Sequence, residues 1–275
     1  MIKDIVVNLG LGAHDVAGDF AISIAKEFDS HVLGIALACE PAIPGTVMGN
    51  IPASILEAPR AEVRKSAENA VRRFTQAATR AGVAAETHTI TDVVTDAATQ
   101  FGAIARRFDL VVVGQAERDE SLAAELANEA ALFDSGRPVI FVPFIQKGGL
   151  KLDRVLACWD GSRAATRAIA DSMPFLRGAK AVEIVMVTGG KPETDEIAGA
   201  DLGQHLARHG LKVDVKRLVS GDIDVVSTIL SYAADVGADL IVMGGYGHSR
   251  LREFILGGVT RGILSSMTVP VLMSH

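Results

Sequence analysis

Cysteine is scarce: Cys39 and Cys158 are the two in 275 residues. Two isolated thiols argue against a disulfide framework or a thiolate zinc site, and the chain is expected to be cytoplasmic and reduced. An excess of positive charge is also missing. Lys and Arg number 27 against 33 Asp and Glu, for a net charge of −6 and a pI near 5.7. Non-specific nucleic-acid binding needs a basic face, so no nucleic-acid partner is expected. No apolar run approaches the roughly 18 residues of a membrane span, so no membrane partner is expected either. Lys3 and Asp4, around a short strand-like run, do not read as a signal peptide. What the chain has is 49% apolar residues, ample for buried cores, and a length that suggests two domains.

The most informative stretch is Asp239 to Pro270. It reads DLIVMG, then GYGHSRLREFILGGVTRGILSSMTVP. Leu240 to Met243 is short and rich in β-formers, as a fully buried strand is. It runs into Gly244 and Gly247, then Gly257 and Gly258, and Val259 to Met267 reads as a helix. A strand, a glycine loop and a helix start form a place for an anion: glycines let the backbone approach, and the first helical N–H groups lack internal partners. No Gly-Lys-Ser/Thr follows, and the spacing is not G-x-G-x-x-G, so neither common phosphate motif applies.

The chain repeats itself once. DLVVVG at Asp109 to Gly114 recurs at Asp239 to Gly244. Pro138 recurs as Pro270, Asp92 as Asp224, and the opening Asp4 as Asp153. The first three pairs lie 130 to 132 positions apart and the last 149. The first half therefore holds nearly 20 extra residues, placed in the Pro- and Gly-bearing stretch Pro41 to Pro59. That stretch reads as a surface excursion or a lid. The boundary is placed between residues 147 and 148, near Gly148 and Gly149.

Strands alternate with helices in both halves, which predicts parallel βαβ units with right-handed crossovers. Helices are expected from the Asp15 cap, over Ala61 to Ala81, Asp92 to Arg107, Arg163 to Leu176 behind a Ser162 cap, Asp195 to His209, and from an Asp222 cap to Asp235. Strands are expected at Val83 to Ile90 and Leu211 to Val219, among others. Ligands in such sheets sit beyond the strand C-terminal ends. In the second half that position holds the glycine loop and Asp160, which reads equally well as a ligand-facing carboxylate or as an Asp-Gly turn residue. In the first half the loop reads Gln115 to Glu120. Glu117 stands in place of Gly247, Ala127 and Asn128 in place of Gly257 and Gly258, and Leu11 in place of Asp160. Acidic side chains at Glu117, Asp119 and Glu120 would repel a phosphate. His205 and His209, four apart, read as a solvent-facing pair near a helix C-terminus.

Gly244, Gly247 and Gly257 match the G-x2-G-x9-G-(S/T) nucleotide loop of the universal stress protein family. Gly258 stands where the family's ATP binders carry Ser or Thr. The whole chain resembles a tandem universal stress protein. That resemblance implies two doubly wound, Rossmann-like (adenine nucleotide alpha-hydrolase-like) α/β domains, each a five-stranded parallel sheet flanked by helices. Residues 1–147 form the degenerate domain and residues 148–275 the one with the loop. It implies that the last strands, Val139 to Val142 and Val269 to Met273, pair as an intrachain pseudo-dimer; a homodimer of the chain stays open. It implies ATP or AMP, with or without Mg2+, held by Asp160 and Val187 around the adenosine and by Gly244, Gly247, His248, Ser249, Arg250, Gly257, Gly258, Val259 and Thr260 around the phosphates. Thr260 is a partial substitute for the hydroxyl missing at Gly258. Three functions follow: an adenine-nucleotide-binding stress regulator with an unidentified protein partner; a regulator with no nucleotide, if Gly258 abolishes binding; and a slow ATP hydrolase. The third ranks last, because nothing near the loop supplies a general base or an obligate metal carboxylate pair.

Overall fold

The computed structural model of the chain describes residues 1–40, 53–116, 122–188, 196–221, 223–245 and 258–275. They fall into two compact units. The first comprises Met1–Arg137 with Lys147–Gly149, and the second Pro138–Gln146 with Leu150–His275.

The first unit runs β1 (Asp4–Asn8), α1 (Val16–Phe28), β2 (His31–Glu40), α2 (Ala53–Ala81), β3 (Ala85–Val93), α3 (Val94–Ala105), β4 (Leu110–Gly114) and α4 (Leu122–Asp134). Its strands are parallel in the order β3-β2-β1-β4. The right-handed crossover rule puts α1 and α2 on one face and α3 and α4 on the other, and those are the helix pairs that pack together. Leu110 to Val113 are fully buried, so the apolar run is covered on both sides, as a parallel sheet requires. Asp15 caps α1, its Oδ1 accepting the Gly18 N–H at 2.9 Å.

The second unit continues with β5 (Val139–Val142), β6 (Arg154–Cys158), α5 (Arg163–Gly178), β7 (Ala181–Thr188), α6 (Glu196–Arg208), β8 (Val213–Val219), α7 (Val225–Val236), β9 (Leu240–Gly244), α8 (Gly258–Ser266) and β10 (Val271–Ser274). Its strand order is β5-β10-β9-β6-β7-β8. Each half of the chain thus supplies five strands. The fifth strand of the first half belongs to the second unit, where Val139, Ile140 and Phe141 pair antiparallel with Met273, Leu272 and Val271. This is the pairing the two apolar end strands were expected to make.

Asp109 and Asp239, the first letters of the repeated DLVVVG/DLIVMG run, do the same work twice. Asp109 Oδ2 accepts the backbone N–H groups of Lys3 and Asp4 at 2.8 and 3.1 Å. Asp239 Oδ2 accepts that of Arg154 at 2.9 Å. Each carboxylate satisfies backbone donors at the start of the neighbouring strand, which would otherwise be left unpaired.

Several boundaries move. α2 begins at Ala53, with Pro59 inside it, so the extra segment of the first half is partly helix; residues 41–52 lie outside the described residues. Glu40 anchors that helix through ion pairs to Arg60 at 2.9 Å and Arg64 at 3.5 Å. β3 extends through Asp92 and Val93, which pair with Cys39 and Glu40, so α3 starts only at Val94. β8 starts at Val213 rather than Leu211. The cap of α7 is Asp224, whose Oδ1 accepts the Ser227 N–H at 3.0 Å. Asp222, expected in that role, lies outside the described residues. Gly237 ends α7 in the left-handed conformation, φ 64°, as expected of a C-terminal glycine.

Candidate functional site

In the second unit the chain leaves β6 toward β7 and leaves β9 toward β10, on opposite sides. β6 and β9 are neighbours, with Leu156 opposite Ile241 and Ala157 opposite Val242. This is a topological switch point, the crevice where open α/β sheets take ligands. The ends of the two strands bring Asp160 and Gly244 to adjacent positions.

Asp160 sits in the turn after β6. Its Oδ1 accepts the Ser162 N–H at 2.9 Å, and Ser162 caps α5 by accepting the Ala165 N–H at 3.1 Å. Gly161 between them has φ 75°, a conformation that favours glycine. The turn reading of Asp160 is therefore right, and the residue remains exposed, with its second oxygen unengaged by the turn. The turn is fixed to the next strand by the Trp159 N–H, which donates to Val185 O at 2.8 Å. Val187 lies two residues further along β7, half-buried, opposite Leu218 of β8. At the end of β6, burial, helped by the Asp160 charge, pushes the Cys158 thiol up to about 12, which disfavours the thiolate.

Gly244 ends β9. A Cβ there would meet Ala165 N at 2.5 Å and Ala164 C at 2.7 Å. The glycine allows β9 to run tight against the start of α5. This requirement comes from packing and would hold without any ligand. Gly245 follows, its N–H donating to Ser274 O at 2.9 Å, while its carbonyl lies 3.1 Å from Nδ1 of His275.

Gly247, His248, Ser249, Arg250 and Gly257 lie outside the described residues. α8 opens at Gly258, which is exposed; among the described residues no atom lies within 4 Å of where a Cβ would be. Val259 is 38% exposed, and α8 has no acidic residue in its first turn. Thr260 is buried and engaged within the protein.

The corresponding place in the first unit is arranged differently. Asn128, in the position of Gly258, donates through Nδ2 to the carbonyl of Gly114 at 3.0 Å. Glu125 stands in the first turn of α4. The side chain of α4 thus closes onto the end of β4, and a carboxylate opposes an anion at that helix start. Residues 117–121, with Glu117, Asp119 and Glu120, lie outside the described residues. The Asn128 bond was not foreseen; the signal available was the mismatch of Asn128 with Gly258.

His205 and His209 are exposed, with ring centroids 4.7 Å apart. Among the described residues no group of three His, Cys, Asp or Glu stands close enough to hold a metal ion. Among them, too, no helix is long and apolar enough to cross a membrane.

The Universal stress protein family model matches residues 151–275. Universal stress protein Slr1230 of Synechocystis sp. is 29% identical over 174 residues, covering 60% of this chain and 57% of that protein. Universal stress protein MJ0577 of Methanocaldococcus jannaschii is 40% identical over 45 residues, 16% of this chain and 28% of that protein. The chain thus matches little more than half the length of the first relative and less of the second. In fold, the chain is similar to a crystal structure of a universal stress protein from Archaeoglobus fulgidus, with a TM-score of 0.71 at 16% identity, covering 98% of this chain and 97% of that one. Over residues 151–275 the chain is similar to the universal stress protein family.

Proposed function

We propose that the protein is a stress-response regulator that binds an adenine nucleotide, ATP or AMP, in its second domain and none in its first. The observation that carries this reading is the contrast between two equivalent positions. Among the described residues no atom lies within 4 Å of where a Cβ on Gly258 would be, and α8 has no acidic first turn, whereas Asn128, in the second turn of α4, is bonded to Gly114 and Glu125 stands in the first turn. Exposed N–H groups at a helix N-terminus favour a phosphate. Asp160, one strand away, is placed to accept hydrogen bonds from a ribose or a base.

The test is a calorimetric titration of ATP and of AMP into the full chain, alongside mass spectrometry of any small molecule that co-purifies. Saturable binding at one site per chain, abolished by Gly247→Glu, is the expected result. Two sites per chain, or binding indifferent to Gly247→Glu, would refute it.

A second reading, a regulator that works without nucleotide, is favoured by the absent hydroxyl at Gly258 together with the burial of Thr260. The missing hydrogen bond to a charged phosphate is worth about 1.5–3 kcal/mol, which weakens binding and need not end it. Titrations without heat at millimolar nucleotide would select this second reading.

A further inference from the structure

The first unit contains a cavity of about 220 Å³ between the start of α1 and the last turns of α2. No residue of β4 or α4 lines it, so it is separate from the crevice that Asn128 occupies. Gly18 on α1 and Ala77 on α2 line the void; a Cβ on Gly18 would collide with Asp15 Oδ2, so the glycine is what lets the Asp15 carboxylate lie there.

Charges flank that gap in an ordered way. On α2, Arg73 and Arg80 are seven apart, on one helical face with Gln76 and Ala77 between them. On α1, Asp15 and Asp19 are four apart, on one face beside Gly18. All of these residues line the cavity. The inner pair of charges is committed to the scaffold. Arg73 donates through Nη2 to Gly10 O at 3.1 Å and Gly12 O at 2.7 Å, and Asp15 accepts the Gly18 N–H. These bonds hold the β1–α1 connection against α2. The outer pair is uncommitted: Arg80 and Asp19 are exposed and make no ion pair with each other within 4 Å. Phe74, 3% exposed, supplies an apolar wall.

A void with an exposed cation on one wall and an exposed anion on the other is complementary to a molecule carrying both signs. Its volume lies below the roughly 300–1,000 Å³ typical of drug-sized ligand pockets, which suits an amino acid better than a nucleotide. We propose that this cavity binds a small zwitterion of amino-acid size, its carboxylate toward Arg80 and Gln76 and its ammonium toward Asp19.

The test uses the full chain and thermal unfolding in the presence of each free proteinogenic amino acid at millimolar concentration, followed by titration calorimetry of any that stabilises. The expected result is stabilisation by at least one of them. N-acetylation or amidation of that amino acid should each weaken binding about tenfold, the loss of one charge-assisted contact. Asp19→Asn and Arg80→Gln, both surface changes, should do the same, and Ala77→Met should fill the cavity and abolish binding. No stabilisation by any amino acid, or stabilisation that persists in Arg80→Gln and Asp19→Asn, overturns the proposal. Nucleotide titration of the same variants should be unchanged, which keeps this result distinct from that at the second unit.

Discussion

Gly114 and Gly244 end the same strand in two copies of one supersecondary unit, but their surroundings differ. Behind Gly244 the backbone of α5 is so near that a Cβ would collide with Ala165 N and Ala164 C. Behind Gly114 the nearest atom to such a Cβ is Ala17 Cβ at 3.9 Å, an ordinary contact. The carbonyl of Gly114 is instead taken up by Asn128, while at Gly258 no atom of the described residues lies within 4 Å of where a Cβ would be. In the first unit a side chain from the second turn of α4 takes up that carbonyl; in the second unit the equivalent position is a glycine. The two units thus share a frame of strands and differ at its mouth.

The largest expected effect comes from giving the second copy the side chain of the first. Gly258→Asn should weaken ATP or AMP binding about 100-fold, some 2.7 kcal/mol, by putting an amide side chain where the phosphates of the proposed ligand would lie. Calorimetry reads it directly, and undiminished affinity would break the comparison. Next is the pair Gly244→Ala and Gly114→Ala. The former should destabilise by about 2 kcal/mol, as overpacking against backbone does, and the latter by no more than about 0.5 kcal/mol. Chemical denaturation of the two variants separates them. Asn128→Gly should lose about 1 kcal/mol, the net value of one hydrogen bond. It should gain no nucleotide binding, because Glu125 and Leu11 remain; ATP bound there would show that Asn128 alone closed the site.

The smallest effect concerns a polar cluster in the second unit. Glu183, 3% exposed, is paired with Arg154 and accepts the Tyr232 hydroxyl at 2.5 Å. Burial, then the bond to Glu183, pushes the Tyr232 hydroxyl from 10 up to about 12. A raised value means that the folded state holds the proton more tightly. The contribution is therefore complete below pH 10 and is lost as pH rises through about 12. Tyr232→Phe should flatten that part of the alkaline unfolding curve.

Much of the frame was legible because it rests on local signals. The repeated apolar runs after Asp109 and Asp239, the Asp15 and Ser162 caps and Gly237 each carry their physics within a few residues. Asp160 was readable as a turn former for the same reason. What was not legible depends on distant neighbours. The reach of Asn128 back to Gly114 spans 14 positions, and the Arg73 clamp on Gly10 and Gly12 spans 63 and 61; no periodicity announces either. A second reason for glycine at position 244 was not legible: the phosphate-approach argument is local, while the steric one needed the position of α5. The shifts at β3 and α7 were failures of punctuation, since Asp92 and Asp222 resemble caps, and only strand pairing with β2 and the Ser227 N–H identify where the helices begin.

The ownership of β5 has a practical result for anyone dividing this protein. A polypeptide started at Lys151 would carry every helix of the second unit and yet leave the Val271–Met273 margin bare, because Val139–Phe141 would have been cut away. An uncovered strand of that kind recruits another chain, so such a fragment should self-associate through β10. Starting at Pro138 keeps the missing partner attached and should give a monomeric piece.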